Sequence, residues 1–202
     1  MTILNLTLAD VGLLATGGAI SIQGPQPVVV TPPPPTGPAP FPVTGPGVIY
    51  ADGKLLWPGD WDGSSLKANY ADTTKIPGMT VASMTSIAPW AYWLPYVLHL
   101  QTSKFNNLVL MIKPAVAKQK FSVGAYTSVL NPDGTWKTDV ITGGVPDLSP
   151  YAAGAADPSG VITYVIPLAA LKAVGIDLYK IIVQDQSGLT GDVWLVTYAA
   201  FV

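Results

Sequence analysis

From residue 47 to the C-terminus, the chain consists of short runs of β-branched and aromatic residues separated by turn sequences. Runs of this length and composition are typical of β-strands, and their number and spacing favour a β-sandwich. The segments "NPDG" at 131–134, "DPSG" at 157–160 and "SGLTG" at 187–191 contain residues that tight turns favour. The sequence therefore predicts an all-β domain over residues 47–202. The predicted strands are 47–51, 79–87, 94–101, 106–114, 119–130, 160–167, 178–186 and 192–202.

The segment "PLAALKAVG" at 167–175 is the one stretch of this region with helical character. Pro167 stands at its start and Gly175 just past its end, which are the positions that these residues favour at the two ends of a helix. We expect a short helical turn here, between two of the predicted strands.

The first 46 residues have a different composition. Residues 1–23 carry Leu4, Leu6 and Leu8 in alternation with polar residues, which is the pattern of a half-buried strand. Residues 24–46 hold half of the 20 prolines and no charged residue, a composition that favours extended polyproline II. At about 3.1 Å per residue, this second segment would span roughly 70 Å. We therefore predict an extended N-terminal anchoring arm followed by a stiff proline-rich linker.

The apolar N-terminus lacks the positive charge of a secretory signal peptide, because the first basic residue is Lys54. Asp10 also interrupts its apolar run, so we expect the segment to be retained in the mature protein. No run of about 18 apolar residues, the length that spans a membrane, occurs in the sequence. No membrane partner is predicted.

Charge is carried by two residue types alone, since all 12 acidic residues are Asp and all 10 basic residues are Lys. The formal net charge is -2 and the lysines are scattered, which argues against a nucleic-acid partner. The absence of Cys excludes disulfides, thiolate metal sites and cysteine nucleophiles.

The sequence also lacks a recognisable catalytic motif. Asp60 and Asp62 in "GDWDGSS" lie two residues apart, but the neighbouring Gly and Ser indicate a loop in which Asp side chains cap backbone amides. His99 is the single histidine, and no Gly-x-Ser-x-Gly elbow is present to supply a nucleophile. We predict that the protein is not an enzyme and that it has no catalytic residues and no cofactor.

Three stretches of the C-terminal region together form a family pattern. They are "VIYAD" at 48–52, "APWAYWLPYVLHL" at 88–100, and the portion from "IPLAAL" at 166–171 to "VQDQSG" at 183–188, which is the most specific. The pattern resembles that of the galactose-binding-like jelly rolls that serve as carbohydrate-binding modules beside glycoside hydrolases. The resemblance implies a jelly-roll β-sandwich with a sugar-binding role over residues 47–202.

Many members of that family hold a structural calcium ion with acidic residues of the first and last strands. Asp52 matches the first-strand acid, but Thr197 and Tyr198 stand at the matching positions of the last strand. Calcium takes six to eight oxygen ligands, and a single carboxylate supplies too few of them. No metal ion is therefore predicted.

A sugar site needs aromatic rings that cover the apolar C–H face of a pyranose, beside side chains that hydrogen-bond its hydroxyls. The first region with such residues is a loop and the strand after it. Its candidate binding residues are Trp57, Trp61, Trp90, Tyr92 and Trp93. In an extended strand, Trp90, Tyr92 and Tyr96 would share one face, and Trp93 would point to the other.

The second candidate region is the outer face of a predicted sheet. Alternation in "LYKIIVQDQ" at 178–186 directs Tyr179, Ile181 and Val183 inward. The same argument for this strand and for 119–130 leaves four side chains around a shallow outward groove: Ser122, Tyr126, Lys180 and Gln184. For both regions, simple packing of the aromatic residues is the alternative interpretation.

An anchoring arm, a spacer and a sugar-binding-like jelly roll together favour an adhesive structural protein. We expect a bacteriophage tail or baseplate component, located in the virion, whose jelly roll binds host-surface polysaccharide. Residues 1–23 would join it to other virion proteins in an oligomeric assembly. One alternative is a virion assembly or decoration protein that binds no sugar. Another is an extracellular accessory carbohydrate-binding module of a secreted polysaccharide-degrading system.

Overall fold

A computed structural model of the chain describes residues 41–56, 60–61 and 65–202, with the backbone alone at residues 60, 61, 136, 138 and 139. Phe41–Val202 forms one compact unit. The predicted anchoring arm at 1–23 and the linker residues 24–40 lie outside the described residues. No helix in the described part of the chain is long and apolar enough to cross a membrane.

The described chain is almost entirely β-structure, as the sequence predicts. Its strands are β1 (Val48–Ala51), β2 (Lys54–Leu55), β3 (Asp60–Trp61), β4 (Leu66–Asp72), β5 (Val81–Ser86), β6 (Tyr92–Gln101), β7 (Asn107–Lys113), β8 (Phe121–Leu130), β9 (Trp136–Val145), β10 (Ile162–Pro167), β11 (Asp177–Asp185) and β12 (Val193–Phe201). Two short 3-10 helices, Thr102–Lys104 and Ser149–Tyr151, are the helical segments described.

The strands form two antiparallel sheets. The larger sheet has seven strands, in the order β10-β7-β12-β1-β2, with β5 also pairing with β12 and β4 with β5. The smaller sheet has five strands, in the order β3-β6-β11-β8-β9. Apolar side chains from both sheets form a shared core, so the predicted jelly-roll β-sandwich is confirmed.

Large aromatic residues fill the space between the sheets. Trp93 of the smaller sheet and Trp194 of the larger one are fully buried, and Trp194 packs on Phe121 with ring centroids 5.1 Å apart. The Trp93 Nε1–H donates a hydrogen bond of 3.0 Å to the hydroxyl of Tyr70. Tyr70 thus satisfies the buried indole N–H of Trp93, whereas the Nε1 of Trp194 has no hydrogen-bond partner among the described residues.

All eight strands predicted from composition are present within a few residues of their predicted bounds, but the sequence does not predict the two-residue strands β2 and β3 or the longer strands β4 and β9. In β4, "LKANYAD", the two end residues alone are fully buried, and the polar residues between them hide the strand signal. In β9, "WKTDVITGGV", a pair of glycines weakens the strand signal, because glycine is depleted in strands.

The predicted helical turn at 167–175 is wrong. Pro167 ends β10, and the residues after it form consecutive turns. The N–H of Ala170 donates to the carbonyl of Pro167, and that of Lys172 to Ala169. A left-handed φ of 51° at Lys172 prevents these turns from continuing as a helix.

The last residues of the proline-rich segment contact the outer face of the larger sheet. The ring of Phe41 stacks on that of Tyr198, with centroids 5.4 Å apart. The Tyr198 hydroxyl donates a 2.8 Å hydrogen bond to the carbonyl of Pro42. Burial in this contact raises the pKa of Tyr198 to about 12.

A short motif, Asp-x-Ser/Thr, fixes five of the loops. In each case the Asp carboxylate accepts hydrogen bonds from both the backbone N–H and the hydroxyl of the residue two positions later. The five carboxylates belong to Asp72, Asp133, Asp147, Asp157 and Asp185. These turns hold the chain where it leaves or enters the strands.

Candidate functional site

The outer face of the five-stranded sheet carries three transverse rows of side chains. Strand register places Tyr92 opposite Gln184 and Gln184 opposite Ser122, which forms the first row. A parallel row, four residues along the strands, contains Tyr96, Lys180 and Tyr126. The side chains of both rows point away from the core, since alternate residues of a strand face opposite sides of a sheet.

The row between these two contains glycines at β8 and β9. Ile182 of β11 lies opposite Gly124 of β8, and Gly124 lies opposite Gly144 of β9. Because the two glycines add no side chain, a trough with a backbone floor separates the outer rows. It crosses the sheet from β11 to β9, about 10 Å at the usual strand spacing.

An open cavity of about 320 Å³ occupies the β8–β9 half of this trough. Its floor includes Gly124 and Gly144, and its polar walls include Gln184 and Ser122. Tyr126 lines the opposite wall. The complete lining is Ser122, Val123, Gly124, Tyr126, Ile141, Gly144, Val145, Pro146, Ile182 and Gln184. Such a trough offers apolar surface next to hydrogen-bonding groups, which is the combination that a sugar ring requires.

The ring of Tyr126 lies close over the backbone of Gly124. A Cβ atom added at Gly124 would stand 3.0 Å from the ring carbon Cε2 and 3.6 Å from the hydroxyl oxygen of Tyr126. Any larger residue at position 124 would push the ring away from the sheet. Gly124 therefore permits the orientation in which Tyr126 lines the trough.

Lys180 stands between two tyrosines at the centre of the face. Its Nζ lies 5.3 Å from the ring centroid of Tyr126 and 6.0 Å from that of Tyr96, within the range of cation–π attraction. Its side chain is only 8 % exposed. Lys180 therefore separates and supports the two rings, and offers little surface of its own to a ligand.

A chain of hydrogen bonds links the first row to Trp90. The amide nitrogen of Gln186 donates to the Ser122 hydroxyl at 2.7 Å and to Gln184 Oε1 at 2.9 Å. In turn, Gln184 Nε2 donates to the backbone carbonyl of Trp90 at 2.9 Å. Gln184, predicted as a sugar ligand, thus also holds the turn that carries Trp90.

Trp90 lies in the turn that precedes β6, and its side chain is 52 % exposed. Its φ of 61° is left-handed, a region that bulky residues rarely adopt. One part of the indole lies over Gly188, where an added Cβ would be 3.5 Å from Cζ2. Strain of this kind persists where the surroundings enforce it, and it is concentrated at functional sites.

The loop that supports Trp90 is anchored by a buried carboxylate. Asp185 accepts hydrogen bonds from the Ser187 backbone N–H and hydroxyl, at 2.8 and 3.0 Å. The Ser86 hydroxyl donates to the same carboxylate at 3.3 Å, and the Asp185 N–H donates to the carbonyl of Ala91. The Gln-Asp-x-Ser-Gly portion of the sequence therefore fixes the turn of Trp90.

The aromatic residues of the first predicted region do not all belong to this face. Trp93 is 0 % exposed and points into the core, so it does not contact a ligand on the surface, and we correct that assignment. Tyr92 lies on the open face, as predicted. Trp57 lies outside the described residues, and for Trp61 the structure describes only the backbone, which pairs with Leu94.

A bulge in β11 changes the predicted orientation of Tyr179. The register between β11 and its neighbours shifts between Leu178 and Lys180, so Leu178 takes the inward position and Tyr179 does not. The Tyr179 ring instead meets that of Tyr96 edge-on, at 5.4 Å. Alternation cannot reveal this residue, because a bulge is an irregularity of pairing.

The far end of the face carries a second local irregularity. His99 has a left-handed φ of 67°, and its Nδ1 lies 3.3 Å from the Asp177 carboxylate. The His99 ring also lies near that of Tyr179, at 6.3 Å. The predicted place of His99 in a regular strand is therefore interrupted by strained backbone.

The acidic residue considered for calcium lies in a hairpin turn. Asp52 and Gly53, with φ of 48° and 76°, connect β1 to β2. Thr197 donates to the carbonyl of Met111, and Tyr198 to that of Pro42. In the described part of the chain, no three His or Asp side chains come close enough to hold a metal ion.

No family model matches the chain, and no curated protein matches it in sequence. Solved structures with a similar chain path include the family 30 carbohydrate-binding module of a cellulosomal cellulase of Clostridium thermocellum. The identity is 16 % and the TM-score 0.48, over 76 % of this chain and 95 % of that one.

Two further matches are family 11 carbohydrate-binding modules of Clostridium thermocellum. One belongs to a cellulosomal cellulase, at 14 % identity and a TM-score of 0.44, over 78 % of this chain and 96 % of that one. The other is in complex with a β-1,3-1,4-mixed-linked tetrasaccharide, at 13 % identity and a TM-score of 0.40, over 77 % and 94 %. Likeness at this level assigns no function to the present chain.

Proposed function

We propose that the protein is a non-catalytic polysaccharide-binding module whose ligand lies in the trough on the outer face of the five-stranded sheet. The observation that supports this most strongly is the combination of the glycine floor with Tyr126 on one wall and Gln184 and Ser122 on the other. The Tyr126 ring, which lies over Gly124, offers a π-face to a sugar ring, and Gln184 and Ser122 offer hydrogen-bonding groups.

Trp90 extends the proposed surface at the β6 side. Its ring is half exposed, and its position is enforced by Gln184 and by the loop around Gly188. A ligand that follows the trough across the strands would reach the Trp90 end near Tyr92. A chain of sugar rings, rather than a single sugar, is the ligand that suits an open trough of this length.

The test is affinity electrophoresis of the full chain in gels that contain bacterial surface polysaccharides or plant glycans. We expect retardation by at least one polysaccharide, reduced in Tyr126→Ala and in Trp90→Ala. Tyr126→Phe should keep most of the retardation, since the ring remains. Val174→Ala, an exposed apolar residue in a turn away from the face, is the matched control. Equal retardation of all variants would contradict the proposed site.

A role in assembly without sugar binding is the second candidate. Aliphatic side chains are exposed on β8 and β9 of the smaller sheet: Ile141 is 61 % exposed, Leu130 55 % and Val129 45 %. In addition, β9 is the edge of that sheet, and unpaired edges can bind another strand. Sedimentation of wild type and Ile141→Lys would show a loss of self-association if this edge assembles.

The setting of the module is a separate proposal. The phage tail or baseplate context rests on the predicted arm and linker, of which residues 1–40 lie outside the described chain. An accessory module of an extracellular polysaccharide-degrading system suits the same face equally well. Retardation by host-surface polysaccharide alone would favour the virion, and retardation by plant glycans the degrading system.

A further inference from the structure

A second cavity lies on the opposite side of the domain. It has a volume of about 180 Å³ and lies on the outer face of the seven-stranded sheet. It is formed where β7 ends and β12 begins, under the loop between β4 and β5. The lining residues are Lys75, Lys113, Pro114, Ala115, Val193 and Leu195. This cavity shares no residue with the trough.

Both charged residues that line the cavity are lysines, and the carboxylate of Asp72, outside the lining, interacts electrostatically with Lys75. Two of its six lining residues are lysines, and none is acidic. The ion pairs in the described chain join Lys120 to Asp147 and His99 to Asp177, so neither lysine of the cavity has a carboxylate within 4.0 Å. Two like charges beside one small cavity favour the entry of an anion.

The Lys113 side chain is packed against its surroundings, and the backbone that carries the exposed Lys75 is fixed. The methylene groups of Lys113 lie along Gly160, where an added Cβ would stand 3.4 Å from Cε. Lys75 is carried by a loop that Asp72 fixes through the N–H and hydroxyl of Thr74, and the next residue, Ile76, is buried. The backbone on both sides of the cavity is therefore fixed, and Lys75 and Lys113 project from defined positions.

A buried amide supports the backbone of one lining residue of the cavity. The side chain of Gln119 is 7 % exposed, and its Oε1 accepts a 2.6 Å hydrogen bond from the backbone N–H of Ala115. Its Nε2 is buried and has no hydrogen-bond partner among the described residues. Gln119 therefore fixes the backbone of Ala115, which lines the cavity.

The remaining surface of the cavity is apolar. Pro114, Val193 and Leu195 contribute carbon atoms, and Leu195 belongs to a small buried cluster with Ile76 and other apolar residues. An inorganic anion would leave this surface uncovered. An organic anion would cover it and place its charge at the lysines. The volume is below the roughly 300 Å³ at which sites for drug-sized ligands begin, so the ligand is small.

We propose that this cavity binds a small organic carboxylate, with the carboxylate between Lys75 and Lys113 and the apolar body against Val193 and Leu195. Each lysine would donate a charge-assisted hydrogen bond to a carboxylate oxygen. The site is independent of polysaccharide binding, because it lies on the other sheet.

The test is a titration of the full chain, ¹⁵N-labelled, with benzoate and with benzamide, which is neutral and of nearly the same shape. Benzoate should cause saturable shifts of the amide signals of Ala115, Val193 and Leu195, and benzamide should not. Affinity should fall by about tenfold or more in Lys113→Gln and Lys75→Gln, since each removes a charge-assisted hydrogen bond.

Lys54→Gln removes an exposed charge of β2 elsewhere on the domain and should bind benzoate as the wild type does. Tyr126→Ala should also keep benzoate binding, which separates this site from the trough. Equal shifts with benzamide, full affinity in both cavity variants, or the absence of any saturable shift with benzoate would each overturn the proposal.

Discussion

Trp90 has both a strained backbone conformation and an exposed side-chain ring. A left-handed φ costs a bulky residue about 1–2 kcal/mol, and Gly removes that cost. In Trp90→Gly, we expect the relief of strain to offset the lost packing on Gly188, so that the melting temperature stays within a few degrees of wild type. Polysaccharide affinity should fall about tenfold, because the stacking surface is gone. Calorimetry and affinity electrophoresis of the same sample measure both quantities.

Trp93→Phe is the control for Trp90→Gly, because it should lower the stability of the fold and leave polysaccharide affinity unchanged. It removes the indole N–H bonded to Tyr70 and leaves unfilled volume in the core, so the free energy of unfolding should fall by about 1–3 kcal/mol. Affinity should change little at temperatures where the variant is folded. A stable Trp93→Phe that loses affinity would contradict the assignment of the two tryptophans.

The Asp147 carboxylate gives the stability a defined pH dependence. The ammonium of Lys120, 2.7 Å away, and the hydroxyl and N–H of Ser149 lower its pKa from 3.8 to about 2. A folded-state pKa below the unfolded one stabilises the fold above pH 3.8, and this contribution is lost as the pH falls toward 2.

Asp147→Asn should therefore lower the free energy of unfolding at pH 7, and the difference from wild type should shrink between pH 4 and pH 2. Because the Lys120 side chain is largely exposed, we expect a difference of about 1 kcal/mol or less. Urea unfolding across this pH range measures it. If the difference in free energy of unfolding between the two proteins stays constant down to pH 2, the charge of Asp147 does not contribute to stability.

At the level of elements, two glycines near the β8–β9 pair have different functions. At Gly124, an added Cβ meets the end of the Tyr126 side chain, which can move. At Gly143, it would stand 2.5 Å from the carbonyl oxygen of Leu171, which belongs to a packed turn. The first glycine shapes the binding surface, and the second lets β9 approach the turn after β10.

Gly124→Ala should thus keep its stability within about 1 kcal/mol and lose about 1 kcal/mol of binding free energy, as the Tyr126 ring tilts. Gly143→Ala should lose about 1–3 kcal/mol of folding stability through steric overlap. Thermal unfolding and gel retardation of both variants make the comparison. The reverse pattern would show that the trough floor is misassigned.

Several elements of the fold follow from sequence pattern because their physics is local. Alternation correctly places Trp93 inward and Tyr92 outward on β6. It also correctly places Tyr126 on the outward side of β8. The turns "NPDG" and "DPSG" are present, each with a glycine at positive φ. These features depend on residues adjacent in the chain.

Other features depend on pairing between distant strands, which the sequence of one strand does not contain. Alternation places Tyr179 inward, because it cannot show the bulge before Lys180, which depends on pairing with both neighbouring strands. The trough itself requires Gly124 to lie opposite Gly144, twenty residues later. The sequence predicts Gln184 as a ligand, but it does not predict the hydrogen bond of Gln184 to the distant carbonyl of Trp90.

For the whole molecule, the two outer faces of the sandwich differ in chemistry. The smaller sheet presents tyrosines, amides and a glycine floor, whereas the larger sheet carries apolar clusters, the contact of Phe41 with Tyr198, and the cavity with two lysines. One domain thereby has one open surface suited to an extended ligand and one compact cavity suited to a small anion. We expect the open surface and the cavity to bind their ligands independently of each other.

The most direct measurement is an amide chemical-shift map of the full ¹⁵N-labelled chain, titrated with oligosaccharides from the polysaccharides used in the gels. The account predicts saturable shifts around Gly124, Ile182 and Gln184, with those of Ala115 and Leu195 unchanged. Shifts centred on the seven-stranded sheet, or no saturable shift with any of these oligosaccharides, would contradict the claim that the open face of the smaller sheet binds polysaccharide.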